Sequence, residues 1–359
     1  MKDRDPARWD LPYWYGSRLF VPAASLHVLV PAALFLGLGL VDVFILVPHA
    51  GSEITSSNAV GLPWSLLVMP AFVALYFWMP HAIAELMRWL PGNGVARGSR
   101  VERELELLRR LLAHPALPVV ALLAAAAVAI ISWRLLAGGI PQFSLSETGG
   151  RAIFSYVLSG AVYYAVTMCV FRGFAVTRFL FRVSSATDGV ELSVDPHHPD
   201  GAGGWAELGE YLAGVLIAVA AGIVAVSTVF YTSTLEEAWQ QLALSGGLAV
   251  VFIVTIALPA WLAHVMMRPS RQAALREIQA RRRRDHEALQ RAVAGGEDIA
   301  PWLSSLRSLD EAAKSVRNGY PVLPFRRPAL LTVNTVTSLS IILGTTSTAV
   351  ALFRTFTGS

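Results

Sequence analysis

Between two long apolar stretches the chain reads Asp195-Pro-His-His-Pro-Asp-Gly-Ala-Gly-Gly204. Imidazoles and carboxylates at this density are the residue types that ligate a divalent cation or move protons. His197, His198, Asp200 and Glu207 form the candidate metal set, with Asp195 and Glu210 at its edges. Zinc or manganese needs three or four ligands converging on one point. Adjacent histidines in extended chain point opposite ways, and no His-Glu-x-x-His or Cys-x-x-Cys spacing enforces convergence. Glycines before a helix could instead cradle a phosphate through backbone N–H groups. Six carboxylates and no lysine or arginine from Asp188 to Glu210 disfavour an anion there. The plainest reading is a turn: Pro199 fixes φ, Asp200 supports an Asx-type turn, and the glycines permit φ > 0. Glu207 and Glu210 then fall in the first turns of the next helix, where the dipole favours carboxylates. Apart from a divalent cation at 195–210, no cofactor is expected.

A second group of candidates lies inside the apolar runs. Asp42, His81, Glu85, Arg172 and His264 are ionisable residues where hydrocarbon would surround them, and each needs a partner or water. His81 and Glu85 are one helical turn apart and can pair directly. A salt bridge from Arg172 to Glu85 would neutralise both. A third group is neutral. Asn334, Thr337, Ser338, Thr345 and Thr348 share one face of a helix and could line a water-filled path if several copies or helices surround it. The same hydroxyls could bond back to their own helix or across to neighbours.

Composition sets what must position these residues. Of 359 residues 54% are hydrophobic and 15% charged, against about 25% charged in a soluble domain. The apolar residues gather in runs of roughly 20, the length of a membrane-crossing helix. The fold class is therefore all-α: a polytopic membrane protein with about seven spans. They lie at about 22–47, 63–87, 116–137, 153–178, 208–231, 243–267 and 330–353. The first six are continuous; serine and threonine interrupt the seventh. The first run is too long for a cleavable signal peptide and has no small-x-small cleavage site after it, so it reads as a signal anchor.

Charge orients the bundle. With the N-terminus inside, 26 of the 29 basic residues face the cytosol, leaving Arg134, Arg151 and Arg354 outside. The expected topology is N-terminus cytoplasmic and C-terminus outside. Residues 1–21 hold Trp9, Tyr13, Trp14 and Tyr15 and read as an interfacial aromatic anchor. Spans one to four occupy 22–181, the loop 182–206, spans five and six 207–267, a basic cytosolic region 268–327, and the last span with the C-terminus 328–359.

Two extramembrane helices are legible. In 99–113, Val101, Leu105, Leu108 and Leu112 fall within about 60° of one another on a helical wheel, Ser99 can cap the start, and Pro115 ends it. A second helix runs on from the sixth span. Between Arg268 and Arg291 it carries eight arginines against Glu277, Asp285 and Glu287. Both should lie on anionic inner-leaflet lipid or pack on each other. A short helix near 301–317 follows. The arginine run has no interleaved aromatics, so no nucleic-acid partner is expected. In the fifth span, Gly214, Ala218 and Gly222 form a small-residue packing face. The lone cysteine, Cys169, excludes an internal disulfide.

The stretch His198-Pro-Asp-Gly-Ala-Gly-Gly-Trp-Ala-Glu-Leu-Gly209 resembles a loop in uncharacterised bacterial multi-pass membrane proteins, where His-Pro-Asp-x-x-Gly-Gly precedes a span. The resemblance covers a dozen residues. It implies a membrane family with a fixed inner loop, expected in a bacterial inner membrane, and transfers no catalytic residue.

Three function classes follow. A channel or transporter for an ion or small solute, working as a homo-oligomer, is the best specific expectation. A scaffold or sensor presenting its cytosolic helices to a partner is the alternative. A membrane-embedded metal-dependent enzyme ranks below both, since no nucleophile motif such as G-x-S-x-G is present. Neither a selectivity-filter motif nor a pair of broken helices is legible.

Overall fold

A computed structural model describes residues 10, 13, 26–41, 64–92, 95–136, 150–185, 191–192, 203–232, 251, 253–296 and 298–319. Apart from one two-residue strand pair, the described elements are helical: α1 (Leu26–Leu40), α2 (Met69–Gly92), β1 (Ala96–Arg97), α3 (Ser99–Leu112), α4 (Ala116–Leu136), α5 (Gly150–Ser184), β2 (Glu191–Leu192), α6 (Ala206–Thr232), α7 (Leu258–Gly295) and α8 (Ala300–Gly319). The strands pair antiparallel, Ala96 opposite Leu192.

Three described helices are long and apolar enough to cross a membrane: Leu66–Gly92, Val157–Ser184 and Ala206–Ile223. A fourth is added if α3 and the first part of α4, which meet at 55°, form one bent span. Val28–Leu40 and Ile253–Pro269 are shorter apolar helices. Residues 330–353, the expected seventh span, lie outside the described residues, as do Asn334, Thr337, Ser338, Thr345 and Thr348.

The middle of the bundle is α2, in contact with α1, α5 and α6. A helix packed on three sides must be apolar nearly all round, and Phe72, Val73, Tyr76, Met79, Ile83, Leu86 and Leu90 are all buried. The small-residue face of α6 meets this centre. A Cβ added at Gly214 would stand 2.4 Å from the Trp78 ring, and Ala218 and Gly222 are buried. Large side chains point outward from other faces, including Leu122, Leu123, Val157, Phe174 and Ile217. This is the arrangement expected where the solvent is lipid.

Helix α3 turns its predicted face inward: Val101, Leu105, Leu108 and Leu112 are buried, and the helix packs against α5 and β1. It therefore docks on the bundle rather than floating on lipid. Gly98, with φ 119°, precedes the helix, and no side chain caps it, so the expected Ser99 cap is absent. After Leu112 the chain turns at Pro115, where the Ala116 N–H donates to His114 Nδ1 at 3.2 Å.

Helix α7 continues from its apolar start through the arginine run without a break, as the sequence suggests, for 38 residues. Gly296, in the left-handed region at φ 69°, closes it. Helix α8 then folds back antiparallel, because Arg282 meets Asp310 at 3.2 Å and Ser305 donates to Asp285 at 2.6 Å. Residues further along α7 thus meet earlier residues of α8.

Two of the described helices begin with a π turn: Trp64–Val68 leads into α2 and Ile253–Ala257 into α7. Each is followed at once by a residue and then a proline, Pro70 and Pro259. A proline ring clashes with the carbonyl four residues back, which is Leu66 in one case and Thr255 in the other. Both lie inside the widened turns, which make room for the ring.

Candidate functional site

The site begins with a proline. Pro80 lies inside α2 and has no N–H, so the carbonyl of Tyr76, four residues earlier, has no helical donor. In hydrocarbon an unpaired carbonyl costs several kcal/mol. Arg172 of α5 supplies the bond: its Nη1 donates to the Tyr76 carbonyl at 2.8 Å. Its Nη2 donates to Asp10 Oδ2 at 2.7 Å. Side-chain exposures of 4% for Arg172 and 3% for Asp10 mark a desolvated ion pair.

The carboxylate is saturated with donors. Tyr76 and Tyr164 hydroxyls both donate to Asp10 Oδ1, the latter at 2.9 Å. The Tyr13 N–H reaches the same oxygen at 3.5 Å. The guanidinium lies 4.8 Å from the Tyr76 ring centroid and 5.6 Å from that of Tyr13, close enough for cation–π attraction. Buried charges persist when paired and hydrogen-bonded on all sides, and this pair meets that condition.

The network reaches outward through Tyr13, whose hydroxyl lies 3.0 Å from His81 Nδ1. His81 is exposed on α2. An exposed imidazole is therefore tied to a ring that stands over the buried pair. Such an arrangement can pass a change in hydrogen bonding from the surface to the pair.

A second seam lies one turn further along α5. Thr177 Oγ1 is 2.7 Å from the Val254 carbonyl and 2.9 Å from its own Gly173 carbonyl. In a π register the donor to Val254 would be residue 259, which is proline and has none. So α5 satisfies two carbonyls freed by prolines of its neighbours, one with Arg172 and one with Thr177. Close approach depends on Gly173, since a Cβ there would stand 2.7 Å from Thr255 Cγ2.

Several sequence expectations change here. The partner of Arg172 is Asp10, not Glu85; Glu85 is exposed and lies 3.7 Å from Arg88. A carboxylate from the N-terminal segment reaches the guanidinium inside the bundle, whereas Glu85 points outward one turn past His81. Tyr13 is buried at 4% exposure, so it does not serve as a headgroup-layer anchor; its ring packs against Phe77 and Tyr76. Trp9, Trp14 and Tyr15 lie outside the described residues. His264 is half-buried on α7, and Asp42 lies outside the described residues.

Of the metal candidates, His197, His198 and Asp200 lie outside the described residues. Glu207 is half-buried in the first turn of α6. Ahead of it, Gly203 and Gly204 hold φ of 65° and 94°, the turn geometry their sequence suggests. Gly204 is required on packing grounds too, because Val95 Cγ2 would lie 2.7 Å from any Cβ there. Among the described residues no three His, Cys, Asp or Glu side chains converge closely enough to hold a metal ion.

The fold and site thus define a helical bundle with membrane-length apolar helices and a desolvated Asp–Arg pair at its centre. No family model, no curated protein and no solved structure matches the chain.

Proposed function

We propose that this is a seven-span protein of a bacterial inner membrane, N-terminus in the cytosol, that passes an ion or small solute across that membrane. The observation that carries this reading is the Asp10–Arg172 pair with its tyrosine donors. Ionisable groups held inside apolar bundles are expensive, and they are found where ion or proton paths run. Irregular backbone supports the same reading. Membrane-depth π turns and proline-freed carbonyls occur where helices line a cavity or change register, and α2 and α7 flank Arg172 and Thr177 with both features. The hydroxyl face from Asn334 to Thr348 would complete the path in a homo-oligomer. The arginines of α7 would meet anionic lipid of the inner leaflet.

The test is flux through proteoliposomes for protons, sodium, potassium and chloride, comparing the natural chain with Asp10→Asn and Tyr164→Phe. Flux above that of protein-free vesicles, reduced in both variants while each still elutes as folded protein, supports permeation. Absence of flux for every ion, or flux indifferent to both variants, overturns it.

A scaffold or sensor has one specific observation in its favour. The α7–α8 hairpin exposes Arg281, Arg283 and Arg284, while only Arg282 of that run joins a described ion pair. A charged hairpin standing out from the bundle is what a partner would grip. Absence of flux together with loss of partner capture in Arg281→Ala/Arg283→Ala/Arg284→Ala would favour this second reading.

A further inference from the structure

Among the described residues α5 and α6 both pack on α2 rather than closely on each other. Side chains must therefore reach across the space between them, and Tyr211 of α6 does so. Its ring stacks on Trp78 of α2, with centroids 6.4 Å apart and planes 16° from parallel. The ring lines a pocket that opens to solvent, whereas Cys169 and Arg172 of α5 are the electrostatic neighbours of the hydroxyl. Tyr211 is 1% exposed and its hydroxyl makes no hydrogen bond. A buried hydroxyl without a partner is uncommon and calls for an explanation. Arg172 has the complementary need. A guanidinium carries five N–H donors and no acceptor. Nη1 donates to the Tyr76 carbonyl and Nη2 to Asp10, which leaves other N–H groups of this buried side chain without a described acceptor. Cys169 lies one turn before Arg172 on the same helix face and is buried too.

We propose that a buried water molecule is held between Tyr211, Arg172 and Cys169, inside the bundle and next to the Asp10–Arg172 pair. The tyrosine and the guanidinium interact across a separation too long for a direct hydrogen bond. Polar groups so placed are the ones that water bridges. A buried water needs two to four polar partners, and cavities lined only by apolar groups stay dry. Here the water oxygen accepts from a free Arg172 N–H, and a water hydrogen goes to the Tyr211 oxygen. The Cys169 thiol is a third, weaker partner. A metal ion is excluded from this position by the charge of the guanidinium. Tyr211 thus stands between the water of the open pocket, which meets its ring, and a single internal water, which meets its hydroxyl. The bound water lowers the desolvation of Arg172 without exposing it. This hydration is independent of the permeation reading, because it is an equilibrium property measured without flux.

The test uses the full chain and its one cysteine, whose S–H stretch stands alone in the infrared spectrum. The band is followed in H2O and after transfer to D2O, in the natural chain, in Tyr211→Phe and, as control, in Tyr163→Phe on α5. In the natural chain the buried thiol should exchange to S–D well before the core helix amides exchange. Tyr211→Phe removes one anchor of the water, so the S–H band should shift and its exchange should slow, while the control leaves both unchanged. Thermal unfolding gives a second readout. A water-bonded hydroxyl makes Tyr211→Phe lower the unfolding midpoint, whereas a dry, unpartnered hydroxyl makes the same change raise it. A thiol that stays S–H as long as the core amides, a band indifferent to Tyr211→Phe, or a raised midpoint overturns the proposal. If Tyr211→Phe fails to fold, thiol exchange in the natural chain decides, because a dry site leaves Cys169 unexchanged.

Discussion

Asp10 and Arg172 are 162 residues apart in sequence and 2.7 Å apart in space, and together they tie the N-terminal segment into the bundle. Breaking a buried pair by removing one partner costs about 3–5 kcal/mol, because the other charge is left uncompensated. Asp10→Asn should therefore lower stability by about that amount in detergent titrations that follow helix unfolding. Asp10→Asn/Arg172→Met, which removes both charges, should recover part of the loss. A change below about 1 kcal/mol for Asp10→Asn would place the pair among solvated surface bridges.

Half of that pair was legible in the sequence. Arg172 stands out because an arginine in an apolar run demands a partner. Asp10 does not, because it sits in Arg8-Trp-Asp-Leu-Pro-Tyr-Trp-Tyr15, where aromatic density suggests a headgroup anchor and hides the carboxylate. The signal that was available is Pro80. A proline in an apolar helix frees the carbonyl four residues back, and Tyr76 then needs a donor from a neighbouring helix. Arginine is the long-reaching donor among the apolar runs.

The same logic at Pro259 yields a prediction. Thr177 caps the Val254 carbonyl at 2.7 Å inside a buried seam. Thr177→Val keeps the shape and removes the hydroxyl, so a buried acceptor is left unsatisfied, at about 1–3 kcal/mol. Thr177→Ser keeps the donor and should fall within about 1 kcal/mol of the natural chain. Paired unfolding titrations of the two variants check this, and equal losses would mean that methyl packing, not the hydrogen bond, holds the seam.

The close approach at Gly173 can be tested by making it worse and then relieving it. Gly173→Ala places a methyl 2.7 Å from Thr255 Cγ2 and 3.2 Å from its Cβ. Thr255 is 2% exposed and hydrogen-bonds to the Val251 carbonyl, so it has little freedom to turn away. Overpacking of this kind costs about 1–3 kcal/mol, against up to about 1 kcal/mol that alanine gains over glycine in a helix. Thr255→Ser removes the offending methyl and retains the hydroxyl. The double variant should be more stable than the sum of the two single changes by at least about 0.5 kcal/mol. Strict additivity would separate the two residues.

The placement of several helices was more legible than their company. Periodicity located α3 and its buried face from Val101 to Leu112, and turn chemistry located Gly203 and Gly204. It could not show what α3 covers, because an amphipathic face is equally suited to lipid and to protein. Only the fold puts that face on α5.

Accessibility along α3 separates these two surfaces. Leu105 is 4% exposed and Leu107 is 43% exposed, two residues apart and on opposite sides of the helix. Cys169, the one natural cysteine, is buried and should stay silent towards a charged, membrane-impermeant maleimide. Leu107→Cys should react readily with that reagent in folded protein, and Leu105→Cys only after unfolding. Stability should follow the same division. Leu105→Ala should cost about 2–5 kcal/mol as a buried large-to-small change, and Leu107→Ala within about 0.5 kcal/mol. If α3 lay on lipid instead, both alanine changes would be mild, and Leu105→Cys would become reactive in detergents that strip the headgroup layer.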